Sequence, residues 1–316
     1  MEQQNYFNIF EFSNKQRLGE KGDGGYVIGV IENDPYDCYI SCGVSNEESF
    51  SRDFINKYNM NAHNSFAFDG TIVDYPYHYT NKITFINKNI GGHNDNFVTN
   101  LSFLTEKYNN IFLKMDIEGG EYPWLLQINE KDLSKFKQIV IELHGVNDNS
   151  WGETYLNKMR CLNKVNSTHY LIHLHGNNHS GMTNGIPNVL EATFINKNYF
   201  TQVLRLDNTI YPIPGLDFVN NVFKPELEMN FLNKICFDWQ SYVNFYPDLS
   251  FITTQDTAWS HWIHFGRHEK RQYFSNEFPS FDWQKYVNRY PDLSFITTQD
   301  TAWSHWIHWG KPEGRH

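Results

Sequence analysis

The chain has 316 residues, enough for one domain of about 200 residues with its own core and something smaller beside it. It carries 36 acidic against 26 basic residues and so lacks the field that gathers a protein onto a phosphate backbone, which excludes nucleic acid as a main partner. The opening MEQQNYFNIFEF has neither a basic segment nor a long apolar run, and no stretch of 18 apolar residues occurs, so a soluble, cytoplasmic chain without a membrane partner is expected. Four cysteines, Cys38, Cys42, Cys161 and Cys236, match no zinc or redox spacing and read as reduced thiols.

Over residues 1–210 apolar runs of strand length alternate with helical patterns. DCYISCG (37–43) is the first strand, followed by Ser45-Asn46-Glu47-Glu48 as a helix N-cap with acids in the first turn, then Phe50, Phe54 and Tyr58 at helical spacing. SFAFD (65–69), KITFIN (82–87), IFLKMD (111–116), QIVIELH (138–144), HYLIHLH (169–175) and VLEATFIN (189–196) complete a set of seven. Strands alternating with helices predict an α/β fold with a doubly wound, mostly parallel sheet, whose ligands sit at the carboxyl ends of the strands.

Residues 211–236 hold three prolines and a glycine in 211–228 without a sustained period, and read as a linker or docking segment. Two repeats follow at 237–274 and 281–316: 36 residues from Phe237 recur from Phe281 with 29 identities. In each, Trp and Tyr residues at helical spacing predict two or three small helices packed on aromatics. The pairs His261/His264 and His305/His308 sit at i, i+3 beside tryptophans with no matching carboxylate, which reads as packing and hydrogen bonding in preference to metal binding.

No G-x-G-x-x-G follows the first strand and no G-x-x-x-x-G-K-[ST] occurs, which demotes dinucleotide and P-loop chemistry. Asp69, ending the second strand, is placed to accept the two hydroxyls of an adenosine ribose.

The succession GDGGYVIG (22–29), YISCGVSNEESF (39–50), FAFDGT (66–71), LKMDIEGGEYPWL (113–125), IVIELHG (139–145), LHGNNHS (174–180) and PNVLEATFI (187–195) resembles the FkbM-like S-adenosylmethionine-dependent methyltransferases. The resemblance implies a seven-stranded methyltransferase sheet and O-methylation of a sugar, glycan or glycosylated small molecule. It also implies that Gly43, Ser45 and Asn46 approach the methionine part of the cofactor and that Asp69 binds its ribose. Asn89 and Ile90 would border the adenine, and Gly24, Gly25 and Tyr26 would close over the methionine end. The first loop keeps only part of the family's Asp-x-Gly-x-Asn-x-Gly. The C-terminal repeats resemble short YPDL...HW...G...R units found beside sugar-modifying domains in some bacterial and large-virus proteins.

On this reading Asp116 ends its strand beside the methyl donor, while Glu118 and Glu121 fall at a helix N-terminus, where acids are favoured in any case. Glu142 and His144, two apart on one strand, point to the same side. With Asp116 they could hold Mg²⁺ or Mn²⁺ to lower the pKa of a sugar hydroxyl, or His144 alone could act as general base. His175, Asn177, Asn178 and His179 are expected on the acceptor side, facing a glycan or nucleotide sugar. The competing reading is a catalytically inactive carbohydrate-binding or scaffold protein on the same fold. An RNA-cap methyltransferase would need a basic groove, against the acidic balance.

Overall fold

The computed structural model describes residues 6–234 apart from 33, 184 and 208, and from the C-terminal part 239–266, 269, 271, 283–294, 296, 302, 305 and 306. Seven strands form the central sheet: β1 (Cys38–Cys42), β2 (Ser65–Phe68), β3 (Thr84–Ile86), β4 (Ile111–Met115), β5 (Phe136–His144), β6 (His169–Gly176) and β7 (Val189–Asn196). They coincide with the seven apolar runs. Residues of β1 and β4 are buried throughout, as in strands covered on both faces.

The strand order is β6-β7-β5-β4-β1-β2-β3. β1 to β5 pair in parallel, while β7 runs antiparallel to both β5 and β6. Moving along the chain, the sheet grows outward from β1 to β3, then returns to β4 on the other side of β1. The reversal opens a crevice between the carboxyl ends of β1 and β4, where doubly wound sheets bind ligands.

Helix α1 (Ser49–Lys57) buries Phe50, Phe54 and Ile55. The Phe54 ring lies 4.1 Å from that of Phe112 on β4 and 4.6 Å from that of Tyr39 on β1. An N-terminal hairpin, Lys15–Leu18 with Tyr26–Gly29, joins the same core through Leu18, Tyr26 and Ile28. The Gln138 side chain on β5 holds the hairpin by bonding both the nitrogen and the carbonyl of Gly29, at 2.7 and 2.9 Å. Helices α2 (Glu121–Gln127) and α3 (Tyr155–Thr168) follow β4 and β5.

The N-cap of α1 is Glu48, three residues later than the Ser45 N-cap predicted from sequence, and it makes no side-chain capping bond. The cause is Asp69, whose carboxylate captures the backbone nitrogens of Val44 and Ser45 and holds these residues as a loop. Glu48 points inward, bonded by Ser41, Ser51 and Tyr75, and burial raises its pKa. Of the cysteines, Cys38, Cys42 and Cys161 are free and buried. Cys236 lies outside the described residues.

The chain forms two compact units, residues 1–230 and 231–316. The first therefore includes the stretch after 210. Asp217 accepts from His173 Nε2 at 2.7 Å, Glu226 bonds His175 Nε2 at 3.2 Å, and the Asn178 amide donates to the carbonyls of Asn221, Lys224 and Pro225. Residues 211–230 thus form a strap bound to β6 and the loop beyond it.

In the second unit, helix Trp239–Phe245, the turn Pro247–Leu249 and helix Gln255–His261 surround Tyr242, Leu249, Ile252, Ala258 and Trp262. Tyr286, Leu293, Ile296 and Ala302 repeat this core. The Tyr242 hydroxyl and His261 Nδ1 are 2.9 Å apart, as are Tyr286 and His305, so these two histidines are hydrogen-bonding core residues. The side chain of His264 and all of His308 lie outside the described residues. Among the described residues no helix is long and apolar enough to cross a membrane.

Candidate functional site

The crevice is built first by backbone. Gly43, at φ 81°, leaves β1 so close to β4 that a Cβ there would stand 1.6 Å from the Asp116 carbonyl oxygen. That carbonyl belongs to the residue whose nitrogen donates to Cys42 O at 2.9 Å. Only glycine permits this approach. Beneath it the buried Lys114 ammonium donates to Gly43 O at 2.7 Å and lies 4.0 Å from Asp116 Oδ2. Burial alone would lower the Lys114 pKa, but Asp116, Glu48 and Glu142 outweigh it and raise the value.

Asp69 ends β2 one turn away. Its Oδ2 accepts from Val44 N (3.0 Å) and Ser45 N (2.9 Å), and its Oδ1 from Thr71 N (2.7 Å) and Thr71 Oγ1 (2.6 Å). Burial pushes its pKa up, but these bonds win and hold the carboxyl below its ordinary value. Four donors fill a carboxylate's acceptor positions, so Asp69 organises the first loop and a ribose would have to exchange with one of them. The Asn89 side chain packs on Gly70, where a Cβ would be 2.5 Å from it, and Ile90 is buried behind. Gly24 lies against the Glu47 side chain, and the buried Tyr26 donates its hydroxyl to Asp116 Oδ2 at 3.0 Å. Gly24 and Gly25, the Gly43 to Asn46 loop, and Asp69 with Asn89 therefore gather round one end of β4, β1 and β2.

Across the crevice, Asp116, Glu142 and His144 converge, each with a ligand atom within 4.8 Å of the others. His144 Nε2 is 3.3 Å from Glu142 Oε2, 3.4 Å from Glu118 Oε2 and 3.9 Å from Asp116 Oδ1. His144 Nδ1 is 3.2 Å from Glu121 Oε1, which also accepts from the His144 backbone nitrogen at 2.9 Å, while Glu121 Oε2 accepts from Gly119 N. Glu121 is wholly buried. Beyond sitting at the helix terminus, it holds the imidazole with Nε2 facing the crevice. Asn177 donates to Glu142 Oε1 at 3.0 Å, leaving Oε2 for His144.

Burial and the Asp116 charge raise the Glu142 pKa. Burial would lower that of His144, but hydrogen bonds and charge from Glu121 and Glu142 raise it well above the ordinary 6.5. Without an ion, Glu121 and Glu142 favour the charged form of His144, which opposes its acting as a lone general base.

An open cleft of about 300 Å³ starts at this cluster and is walled by Asp23, Trp151, Asn177, His179, Ser180 and Val189. Asn177 and His179 line it. His175 and Asn178 do not: both are buried, Asn178 against the strap and His175 between Glu191 (2.9 Å) and Glu226 (3.2 Å). The inward-facing side chains of β6 meet β7 and the strap before they can reach the cleft. Trp151, Asp23 and Lys114 were missed by sequence reasoning. Trp151 sits in an irregular loop with no periodicity, and Lys114 looked like an ordinary strand residue.

The strand order, the switch-point crevice and the polar strand ends define a doubly wound α/β enzyme with a nucleotide-type ligand. Residues 6–169, just over half of the chain, match the family model described as the methyltransferase FkbM domain. The chain belongs to that family and is an S-adenosylmethionine-dependent methyltransferase. It is similar to a TehB-like SAM-dependent methyltransferase from Corynebacterium glutamicum, with 14% identity over 52% of this chain and 83% of that one, at a TM-score of 0.32. No curated protein matches it. The residues present fit the cofactor: the Gly43 loop brings backbone close without a side chain, and the Asp116 carboxylate at the end of β4 would complement a cationic sulfonium, while Asp69 would meet a ribose only by exchanging one of its four donors.

Proposed function

We propose that this methyltransferase modifies a hydroxyl of a sugar or glycan, with Asp116, Glu142 and His144 holding a Mg²⁺ or Mn²⁺ ion. The observation that carries this reading is the convergence of these three side chains, their ligand atoms within 4.8 Å of one another. Two carboxylates and an imidazole oriented by a further carboxylate form a donor set suited to such an ion. When bound, the ion would lower the pKa of an acceptor hydroxyl, a poor nucleophile near pH 7.

The chain's own part is positional. Tyr26 anchors one oxygen of Asp116, Asn177 anchors one oxygen of Glu142, and Glu121 fixes the His144 ring, so one face of each is presented inward. In this arrangement the Gly43, Ser45 and Asn46 loop takes the methionine part of the cofactor, Asp69 exchanges one of its present donors for a ribose hydroxyl, and Asn89 and Ile90 border the adenine. Tyr26, with Gly24 and Gly25, closes the methionine end.

The test is methyl transfer from S-adenosylmethionine to a panel of sugars and glycans, read by mass spectrometry with and without a chelator. Transfer lost to the chelator and restored by Mg²⁺ or Mn²⁺ is expected. Chelator-resistant transfer would remove the ion, and no transfer to any sugar by a cofactor-binding protein would remove the acceptor class.

A further inference from the structure

Trp151 is the least ordinary residue of the cleft. It has φ 58°, a left-handed conformation that bulky side chains rarely adopt and that costs on the order of 1 to 3 kcal/mol. Two glycines make room for it. A Cβ on Gly145 would stand 2.5 Å from Trp151 Cδ1, and one on Gly119 would stand 3.0 Å from its Cβ and its carbonyl oxygen. The indole lies 4.9 Å from the His144 ring, centre to centre, and remains 43% exposed where it walls the cleft. Strain, two excluded side chains and an uncovered aromatic ring beside the reactive cluster point to a surface kept for a ligand's apolar face.

The charge round that surface is mostly negative. Asp23, Asp116, Glu118 and Glu142 line the cleft with His144 and His179, and no lysine or arginine is among the described residues that line it. Lys114 is committed to Gly43 O, and Lys224 reaches the rim only to bond the carbonyl of His179. Were a divalent ion to offset Asp116 and Glu142, the exposed Asp23 and Glu118 would still leave the mouth negative.

We propose that the acceptor is a sugar ring without anionic groups, preferentially one bearing an amine, which lies on the Trp151 indole with its amine toward Asp23 and Glu118, and that phosphorylated sugars and nucleotide sugars are rejected. The inference rests on the sugar-methylation reading of the same cleft and narrows it. A pyranose presents a face of C–H groups that an indole can cover, while the carboxylates select the charge. Of the glycan or nucleotide sugar that the sequence suggested, this keeps the glycan.

The test uses the full chain with S-adenosylhomocysteine bound and three probes, methyl glucoside, methyl glucosaminide and methyl glucoside phosphate, each titrated by ligand-observed NMR at equal ionic strength. The expected order is amine tightest, neutral next and phosphate weakest, with about tenfold between the extremes. Asp23→Asn should narrow the gap between amine and neutral. Trp151→Ala should weaken both the amine and the neutral probe, and Trp151→Phe should keep most of their binding, which also shows that the position folds when changed. Phosphate binding as tight as the amine, no binding by any probe, or unchanged binding in Trp151→Ala would overturn the proposal. Calorimetry of S-adenosylhomocysteine on the same samples tests the methyltransferase reading separately, since it involves no sugar.

Discussion

Glu121 and His144 are joined twice, because one carboxylate oxygen of Glu121 lies 2.9 Å from the backbone nitrogen of His144 and 3.2 Å from its Nδ1. The other oxygen accepts from Gly119 N at 2.8 Å. A single buried carboxylate therefore ties the turn after β4 to the end of β5 and fixes which imidazole nitrogen faces the cleft.

Glu121→Ala would strand buried donors, and a loss of at least about 2 kcal/mol of stability is expected. Glu121→Gln keeps an oxygen for His144 and should be milder in stability, yet its weaker hold on the ring should reduce affinity for Mn²⁺ by about 10- to 100-fold. Denaturant unfolding and a Mn²⁺ titration measure the two effects. Wild-type metal affinity in both variants would show that Glu121 serves stability alone.

Asp69→Ala should weaken S-adenosylhomocysteine binding and also lower stability, by about 2 to 3 kcal/mol, since it releases Val44 N, Ser45 N and Thr71 together. Calorimetry and thermal unfolding read both. An unchanged dissociation constant would take Asp69 out of the cofactor site.

Six of the seven strands were legible because they are short apolar runs that the sheet buries almost throughout, β3 at the edge being half-exposed, and Asp116, Glu142 and His144 were legible because strand ends and the two-residue alternation fix where side chains point. What could not be read lies in long-range pairing. Glu121 looked like any acid in a first helical turn, and its partner is 23 residues away. Asp69 was expected to face a ligand, and its bonds to the backbone of another loop depend on how β1 and β2 meet. His175 carries the same residue type as His144, but the strap from a distant part of the chain covers it. The second strand of the N-terminal hairpin, Tyr26–Gly29, lay in a motif read only as closing over the cofactor.

The strap leads to a prediction on length. A chain ending at Asn230 keeps the whole first unit and should bind S-adenosylhomocysteine as the full chain does. One ending at residue 210 loses Asp217 and Glu226, leaving His173 and His175 without those partners, and should unfold at markedly lower temperature. Equal melting of the two would show that the strap contributes nothing to the sheet.

His169 sets a pH dependence. Burial pushes its pKa down to about 4, against a hydrogen bond from its ring to Phe136 O that raises it. An unfolded chain protonates this histidine near 6.5, so between about 6.5 and 4 the unfolded state binds more protons and stability falls as pH drops. The loss is absent above about 6.5 and reaches about 3 kcal/mol by pH 4. Unfolding of His169→Gln, measured across this window, should lose that part of the slope; a slope equal to wild type would assign the acid sensitivity elsewhere.

The central claim is the ion held by Asp116, Glu142 and His144, and its most direct measurement is calorimetric titration of Mn²⁺ into the S-adenosylhomocysteine complex of the wild-type chain and of Glu142→Gln and His144→Ala. The account predicts one equivalent bound by the wild type and none at the same concentrations by either variant, with cofactor affinity kept in all three. Absence of Mn²⁺ binding in the wild type, or equal binding in the variants, would contradict it.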